Sequence, residues 1–159
     1  MKTQAERRQR LEDVTLSDAG YRALVHVSTD ASVGAAVRAM QDAAVGCCAV
    51  LAGERLVGIF TERNLVTRVF GAGLGLDAPI AECMTSNPVT ARPSDRLHVV
   101  LARMRDGGFR HLPVVDDDGR PIGMTSIKRA IRLIGASARD VVYNVPPVAG
   151  RYPARAEGA

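Results

Sequence analysis

An internal repeat constrains the fold of this 159-residue chain more than any other feature of the sequence. Residue types recur at a separation of 64 positions and then, after one inserted residue, at 65. The matching pairs are Val25 and Val89, Met40 and Met104, Asp42 and Asp106, Val50 and Val114, Arg55 and Arg120, Gly58 and Gly123, and Thr61 and Ser126. A copy of roughly 60 residues is too small to bury both faces of a sheet alone. We therefore expect the two copies to pack on each other as one body.

Apolar spacing in the first copy predicts the order strand, helix, strand, strand, helix. The strands are expected at 25–27, 47–51 and 56–60, with a turn at 52–54. Asp30 or Ser32 is placed to cap the first helix and Thr61 the second, because their side-chain oxygens can accept from free first-turn amides. Gly71 is expected to end the second helix.

The second copy repeats this order, with strands expected at 88–90, 111–115 and 121–124. Ser94 or Asp95 is expected to cap its first helix, and the glycine pair 107–108 to end it. Ser126 is placed to cap the last helix, which Gly135 ends. The predicted fold class is α+β, with two β-α-β-β-α repeats related by a pseudo-twofold axis and packed sheet to sheet.

The domain organisation follows from these elements. We expect a charged N-terminal arm at 1–20, the first repeat at 21–76, the second at 77–143, and a flexible tail with proline and glycine at 144–159.

Composition narrows the classes of function. The net charge of +4 permits anionic partners without choosing among them. Three cysteines make a poor disulfide framework, which favours the cytoplasm, and no apolar run approaches the roughly 20 residues of a membrane span. Aromatic residues make up 4% and tryptophan is absent, which disfavours nucleic-acid binding by base stacking. No catalytic motif is found, so we do not expect an enzyme.

Three stretches resemble a known family. They read GIFTERN at 58–64, IAECMTSNPVT at 80–90 and GFRHLPVVD at 108–116. In this order on the repeat, they resemble a tandem cystathionine-β-synthase (CBS) domain pair, or Bateman module, from about residue 21 to 134. The resemblance implies a stand-alone regulatory module for signal transduction, commonly a homodimer, that binds an adenine nucleotide between its two repeats without catalysis.

The resemblance also implies site residues through the family pattern Gly-x-x-Ser/Thr-x-x-Asp, in which the acid binds the ribose hydroxyls. The matching positions are Gly58, Thr61 and Asn64 in the first copy and Gly123, Ser126 and Arg129 in the second. The glycines would let a ligand approach the backbone. Asn64 can replace the acid at a loss of about 1 kcal/mol, whereas Arg129 cannot accept a hydrogen bond. We therefore expect one nucleoside site, at Asn64.

Cationic side chains are expected to converge at the mouth of the cleft, which favours a nucleotide over a bare nucleoside. They are Arg63, Arg110, His111, Lys128 and Arg129. The predicted ligands are AMP, ADP or ATP, with NAD and S-adenosylmethionine ranked behind them, and no cofactor is required. The plainer interpretation is that Thr61 and Ser126 are only helix caps, the cations surface charges and His111 a structural histidine.

Two other functions stay open. A structural or partner-binding homodimer that has lost nucleotide binding fits the missing acids, and a nucleic-acid binder using the basic ends ranks last. The dimer is expected to form through apolar helix faces, made of Leu65, Val66, Val69, Ile127, Ile131 and Ile134.

The cysteines are interpreted as buried thiols rather than metal ligands. Cys47 and Cys48 are neighbours on a predicted strand and point to opposite faces, so they cannot hold one metal together. A redox-sensing Cys83 is the alternative, and it would require an exposed thiol with a lowered pKa.

Overall fold

The computed structural model describes residues 12–132, which form the expected α+β fold of two repeats. The helices are α1 (Leu16–Ala19), α2 (Val33–Asp42), α3 (Glu62–Asn64), α4 (Ile80–Cys83), α5 (Leu97–Gly107) and α6 (127–132). The strands are β1 (His26–Ser28), β2 (Cys47–Ala52), β3 (Arg55–Thr61), β4 (Thr85–Ser86), β5 (His111–Val115) and β6 (Pro121–Ser126). After α3 the chain continues through a π-helical turn, Leu65–Val69, and a 3₁₀ turn, Phe70–Ala72.

The two sheets have equivalent pairings. In the first sheet, of order β1-β2-β3-β4, β1 runs parallel to β2 and the other pairs are antiparallel. The second sheet contains β5 and β6, and single bridges extend it at both edges. Ala91 pairs in parallel with Val114, just as Val27 pairs with Val50 in the first sheet 64 residues earlier. The pseudo-twofold relation predicted from the repeat is therefore present in the hydrogen bonding.

Each sheet is completed by the segment at the start of the other repeat. Strand β4 lies near the start of the second repeat and pairs with β3 of the first. Arg22 lies at the start of the first repeat and pairs with Met124 in β6 of the second. This exchange ties the repeats together through backbone hydrogen bonds as well as through side-chain packing.

The core has three layers, and the alternating side chains of β2 separate the first two. Cys48 and Val50 point towards α2 into a cluster that Phe60 and Ile80 share. The opposite face of β2 packs between the two sheets, in a cluster of Cys47, Ala49, Leu51, Ile59 and Met124. The third layer packs α5 against β5, with Leu16 of α1 fully buried beside them. The sheet-to-sheet packing is thus confirmed, and so are the opposite orientations of Cys47 and Cys48.

Most predicted caps are present, and one is wrong. Ser32 and Thr61 cap their helices through side-chain oxygens, and Gly108 ends α5 in the left-handed conformation. Neither Ser94 nor Asp95 caps α5, whose N-cap is Arg96 without a side-chain hydrogen bond. The carboxylate of Asp95 instead accepts from the Arg92 amide at 3.0 Å and from Arg103 Nη1 at 2.5 Å.

Two further boundaries differ from the prediction. Residues 88–90 form no regular strand, and the pairing is reduced to a bridge at the adjacent Ala91, which the offset of 64 equates with Val27 in β1. Gly71 does not end its helix, which continues to Ala72 and is capped by Gly73 at a φ of 72°. Gly135 and the tail lie outside the described residues. Within residues 12–132, no helix combines the length and apolar character needed to span a bilayer.

Candidate functional site

Two cavities of similar size lie between the repeats. The Asn64 cleft, of about 450 Å³, is lined by the start of α3 and by residues 107–112 of the second repeat. The Arg129 cleft, of about 440 Å³, is lined by the start of α6, residues 44–47 of the first repeat and residues 19–25. Both volumes suit a small-molecule ligand. His111 and Gly46 line both clefts, so these two residues stand where the cavities adjoin.

Asn64 is buried, and the protein already uses most of its amide. Its Oδ1 accepts from the Thr61 amide at 3.0 Å and from Thr61 Oγ1 at 2.8 Å, and its backbone amide donates back to that hydroxyl. Its Nδ2 donates to Thr85 Oγ1 at 3.1 Å. Both lone pairs of Oδ1 are therefore occupied, and one Nδ2 hydrogen is left for a ligand. An Asn64 carbonyl free to accept from ribose, as the sequence predicts, is absent from this arrangement.

The arginines of the Asn64 cleft are partly engaged. Arg63 Nη1 donates to the Gly108 carbonyl at 2.8 Å and so links the two repeats. Arg68 donates to the Met84 carbonyl. The exposed side chain of Arg110 has no hydrogen bond or ion pair with another described residue, which leaves it available to a ligand.

The predicted cations do not converge at one mouth. Arg63 and Arg110 line the Asn64 cleft, whereas Lys128 and Arg129 line the Arg129 cleft with Ser126. Only His111 reaches both. The reason is the pseudo-twofold axis, which assigns each helix start to its own cavity.

Gly58 and Gly123 line neither cleft. A Cβ built on Gly58 would lie 2.2 Å from Met84 Sδ, and one on Gly123 would lie 2.4 Å from Tyr21 Cδ2. The interpretation that these glycines admit a ligand is therefore wrong in this structure. Their missing side chains make room for the exchanged segments, which cross the sheets there.

Four charged residues of the clefts were not identified from the sequence. Arg22 and Arg132 line the Arg129 cleft, and Glu62 and Arg68 line the Asn64 cleft. A carboxylate oxygen of Glu62 lies 3.0 Å from the position a Gly46 Cβ would take. The repeat offset of 65 places Ile127 opposite Glu62 and Arg132 opposite Thr67. Comparison of the residues at that offset could therefore have predicted that the two clefts differ in charge.

His111 is half-buried at the start of β5. Burial lowers its pKa below the usual 6.5, and Arg110 lowers it further while Glu62 opposes the shift. The side chain is therefore neutral at pH 7, with one nitrogen that donates and one that accepts. The prediction that His111 adds a positive charge to the cleft is wrong at this pH.

The three cysteines are reduced and buried. Burial raises the pKa of Cys47 to about 12 and that of Cys48 to about 11, so both remain thiols. Cys83 is fully buried and its pKa is also raised, which is the reverse of what a redox sensor needs. Within residues 12–132, no three His, Cys, Asp or Glu side chains gather as a metal site.

Residues 16–71 and 80–136 both match the family model of the CBS domain. The chain belongs to the CBS-domain family. Among solved structures it is similar to the CBS domain protein PAE2072 of Pyrobaculum aerophilum, complexed with AMP, at 27% identity and a TM-score of 0.69 over 79% of this chain and all of that one. It is also similar to the CBS-domain-containing protein ATU1752 of Agrobacterium tumefaciens, at 31% identity and a TM-score of 0.68 over 76% of this chain and 98% of that one.

Curated relatives of the CBS pair are longer proteins. The meiotically up-regulated gene 70 protein of Schizosaccharomyces pombe is 34% identical over 118 residues, which cover 74% of this chain and 16% of that protein. An uncharacterized 17.7 kDa protein of Acidianus ambivalens is nearer in size and is 28% identical over 68% of this chain and 65% of its own length. The chain spans less than a fifth of the first three curated relatives.

Proposed function

We propose that this CBS pair is a non-catalytic cytoplasmic sensor that binds an adenine nucleotide in the Asn64 cleft and signals by a change in the angle between its repeats. The arrangement of residues around the Asn64 cleft is the main support for this proposal. Thr61, Asn64 and Arg63 of one repeat face Phe109, Arg110 and His111 of the other across about 450 Å³. The similar protein complexed with AMP adds support, because it shares this pair architecture.

The polar groups left over in the cleft suit a nucleoside monophosphate. The remaining Nδ2 hydrogen of Asn64 can be donated to a ribose oxygen, and the unpaired guanidinium of Arg110 can bind a phosphate. Glu62 would repel a longer phosphate chain. We therefore rank AMP before ADP and ATP, with NAD and S-adenosylmethionine after them.

Signalling follows from which residues the ligand would join. The Arg63–Gly108 hydrogen bond already crosses the mouth of the cleft and connects the repeats. A ligand bound by Asn64 on one side and Arg110 on the other has a higher affinity for one relative orientation of the repeats than for others. Binding would then shift the population towards that orientation.

The homodimer is proposed through equivalent exposed apolar residues. Val66 and Ile131 are separated by the repeat offset of 65, and 63% and 58% of their surfaces are exposed. Phe70, one turn after Val66, is 58% exposed. Val69 is excluded from the predicted face because it is fully buried, and Ile134 lies outside the described residues.

Calorimetric titration of AMP into nucleotide-free protein tests the Asn64 cleft. Asn64→Ala removes the donor to ribose, so we expect AMP affinity to fall about tenfold. This variant also loses the hydrogen bonds that Asn64 Oδ1 accepts from Thr61 at the start of α3, so Ser32→Ala, which removes a side-chain bond at the start of α2, is the matched control. Ser32 caps α2 and lines neither cleft, and its replacement should leave AMP affinity unchanged.

Equal AMP affinity in Asn64→Ala and the wild type would reject the Asn64 cleft as the nucleotide site. An absence of binding by AMP, ADP, ATP, NAD and S-adenosylmethionine would reject the sensor. It would favour the alternative, a structural or partner-binding homodimer that has lost nucleotide binding.

A further inference from the structure

The Arg129 cleft differs from the Asn64 cleft in charge. Four cationic side chains line it: Arg22, Lys128, Arg129 and Arg132. No carboxylate is among the residues that line it. The Asn64 cleft is lined by three arginines and Glu62, and two of those arginines donate to the backbone carbonyls of Gly108 and Met84.

The four cations of the Arg129 cleft lack side-chain partners among the residues that the structure describes. Across residues 12–132, none of their side chains donates a hydrogen bond to another described residue or forms an ion pair with one. The half-buried Arg129 extends towards Gly20: its Nη1 is 3.7 Å from the position that a Gly20 Cβ would occupy. Four like charges around a cavity of about 440 Å³ repel one another, and a polyanion would relieve that repulsion.

The same cleft offers little to recognise a ribose. Arg129 stands at the position equivalent to Asn64 and has no acceptor, so neither carboxylate nor carboxamide is offered to the ribose hydroxyls. Among the side chains of the lining, acceptors come from the His111 ring and two hydroxyls. Thr125 and Ser126 add two hydroxyls, and the other side chains of the lining, including Val25, Val45 and Met124, are apolar. Charge is therefore the property by which this cleft can select a ligand.

We infer that the Arg129 cleft is a separate anion site that binds a chain of phosphates and does not read the ribose or the base. The ligand is either the triphosphate group of a nucleotide or inorganic tripolyphosphate. The inference rests on the proposed function in one respect, that the Asn64 cleft is the adenosine site. The CBS pair would then respond to two ligands of different charge.

The test is calorimetric titration of the whole chain with sodium tripolyphosphate, ATP, GTP and AMP at low salt. We expect tripolyphosphate to bind the wild type and to bind about tenfold more weakly to Arg129→Gln, since a charge-assisted contact is lost while side-chain length is nearly kept. Arg120→Gln is the matched control. Arg120 is an exposed arginine in the β5–β6 turn and lines neither cleft, so the same loss of charge there should leave affinity unchanged.

The variants separate the two proposals. Asn64→Ala should lose AMP and keep tripolyphosphate, whereas Arg129→Gln should lose tripolyphosphate and keep AMP. ATP and GTP binding as tightly as tripolyphosphate would identify a nucleotide source, and their exclusion would identify the inorganic anion. Failure of tripolyphosphate to bind, or equal weakening in Arg120→Gln, would overturn the anion site even if AMP still binds.

Discussion

His111 is the side chain that the two clefts share, and its surroundings set its charge. It lies half-buried at the start of β5, with Arg110 before it and Glu62 of the first repeat nearby. Burial and Arg110 both favour the neutral imidazole, and Glu62 favours the protonated one. Because the net effect lowers the pKa, protonating His111 costs more in the folded protein than in the unfolded chain.

This shift predicts a pH dependence of stability. Between the lowered pKa of folded His111 and the usual 6.5 of the unfolded chain, the unfolded state binds more protons, so the free energy of unfolding rises with pH. The contribution is complete above pH 6.5 and is lost as pH falls below it. Urea denaturation between pH 5.5 and 7.5 should show this slope in the wild type and a smaller one in His111→Gln. The exposed His98→Gln is the control, and a slope unchanged in His111→Gln would contradict the assignment.

At the scale of elements, each sheet is crossed by a segment from the start of the other repeat. The crossing is possible because Gly58 in β3 and Gly123 in β6 have no side chain where Met84 and Tyr21 pass. The two crossings differ in what a new Cβ would meet. At Gly58 its three nearest neighbours would all be side-chain atoms of Met84. At Gly123 it would lie 2.4 Å from Tyr21 Cδ2 and 2.6 Å from the carbonyl oxygen of Arg22, a residue whose amide and carbonyl both bond to Met124.

Gly123→Ala is therefore expected to destabilise the protein more than Gly58→Ala. A flexible methionine can move away, but a backbone carbonyl held in a bridge cannot move without breaking it. We expect Gly123→Ala to lower the free energy of unfolding by about 2–3 kcal/mol and Gly58→Ala by about 1 kcal/mol. Denaturant titration measures both. Adding Met84→Ala to Gly58→Ala should recover part of that loss, and equal losses in the two single variants would contradict the difference.

The sequence was sufficient for elements whose signals are local. The Ser32 and Thr61 caps, the strand Cys47–Ala52 and the Gly108 helix end all follow from neighbouring residues. The site depends instead on contacts between distant segments. One of the two Nδ2 hydrogens of Asn64 is taken by Thr85, which lies 21 residues away, and no periodicity reveals that contact. Similarly, Gly58 matched a ligand motif, and the contact with Met84 that explains it is visible only in the folded chain.

In the whole molecule, each repeat leaves an apolar patch exposed, and the two patches lie at equivalent positions of the repeats. Val66 and Phe70 follow α3, and Ile131 lies in α6, all three more than half exposed within the described chain. They occupy the last helical segment of each repeat, so pseudo-twofold symmetry gives both repeats a similar apolar patch. A second copy of the chain can cover both patches at once through a twofold interface, since each patch then meets its equivalent.

Introducing a charge into this patch is expected to separate the dimer. Phe70→Glu would place a carboxylate in the apolar contact, and its desolvation is unfavourable without a partner. Sedimentation velocity at micromolar concentration should show dimers for the wild type and monomers for Phe70→Glu. Ile122→Glu provides the matched control, because Ile122 is 37% exposed on β6, away from the helical patch. This variant should remain dimeric. A wild-type protein that sediments as a monomer, or a Phe70→Glu protein that stays dimeric, would contradict the interface. AMP titration of the monomeric variant would still report on the Asn64 cleft, because that cleft lies within a single chain.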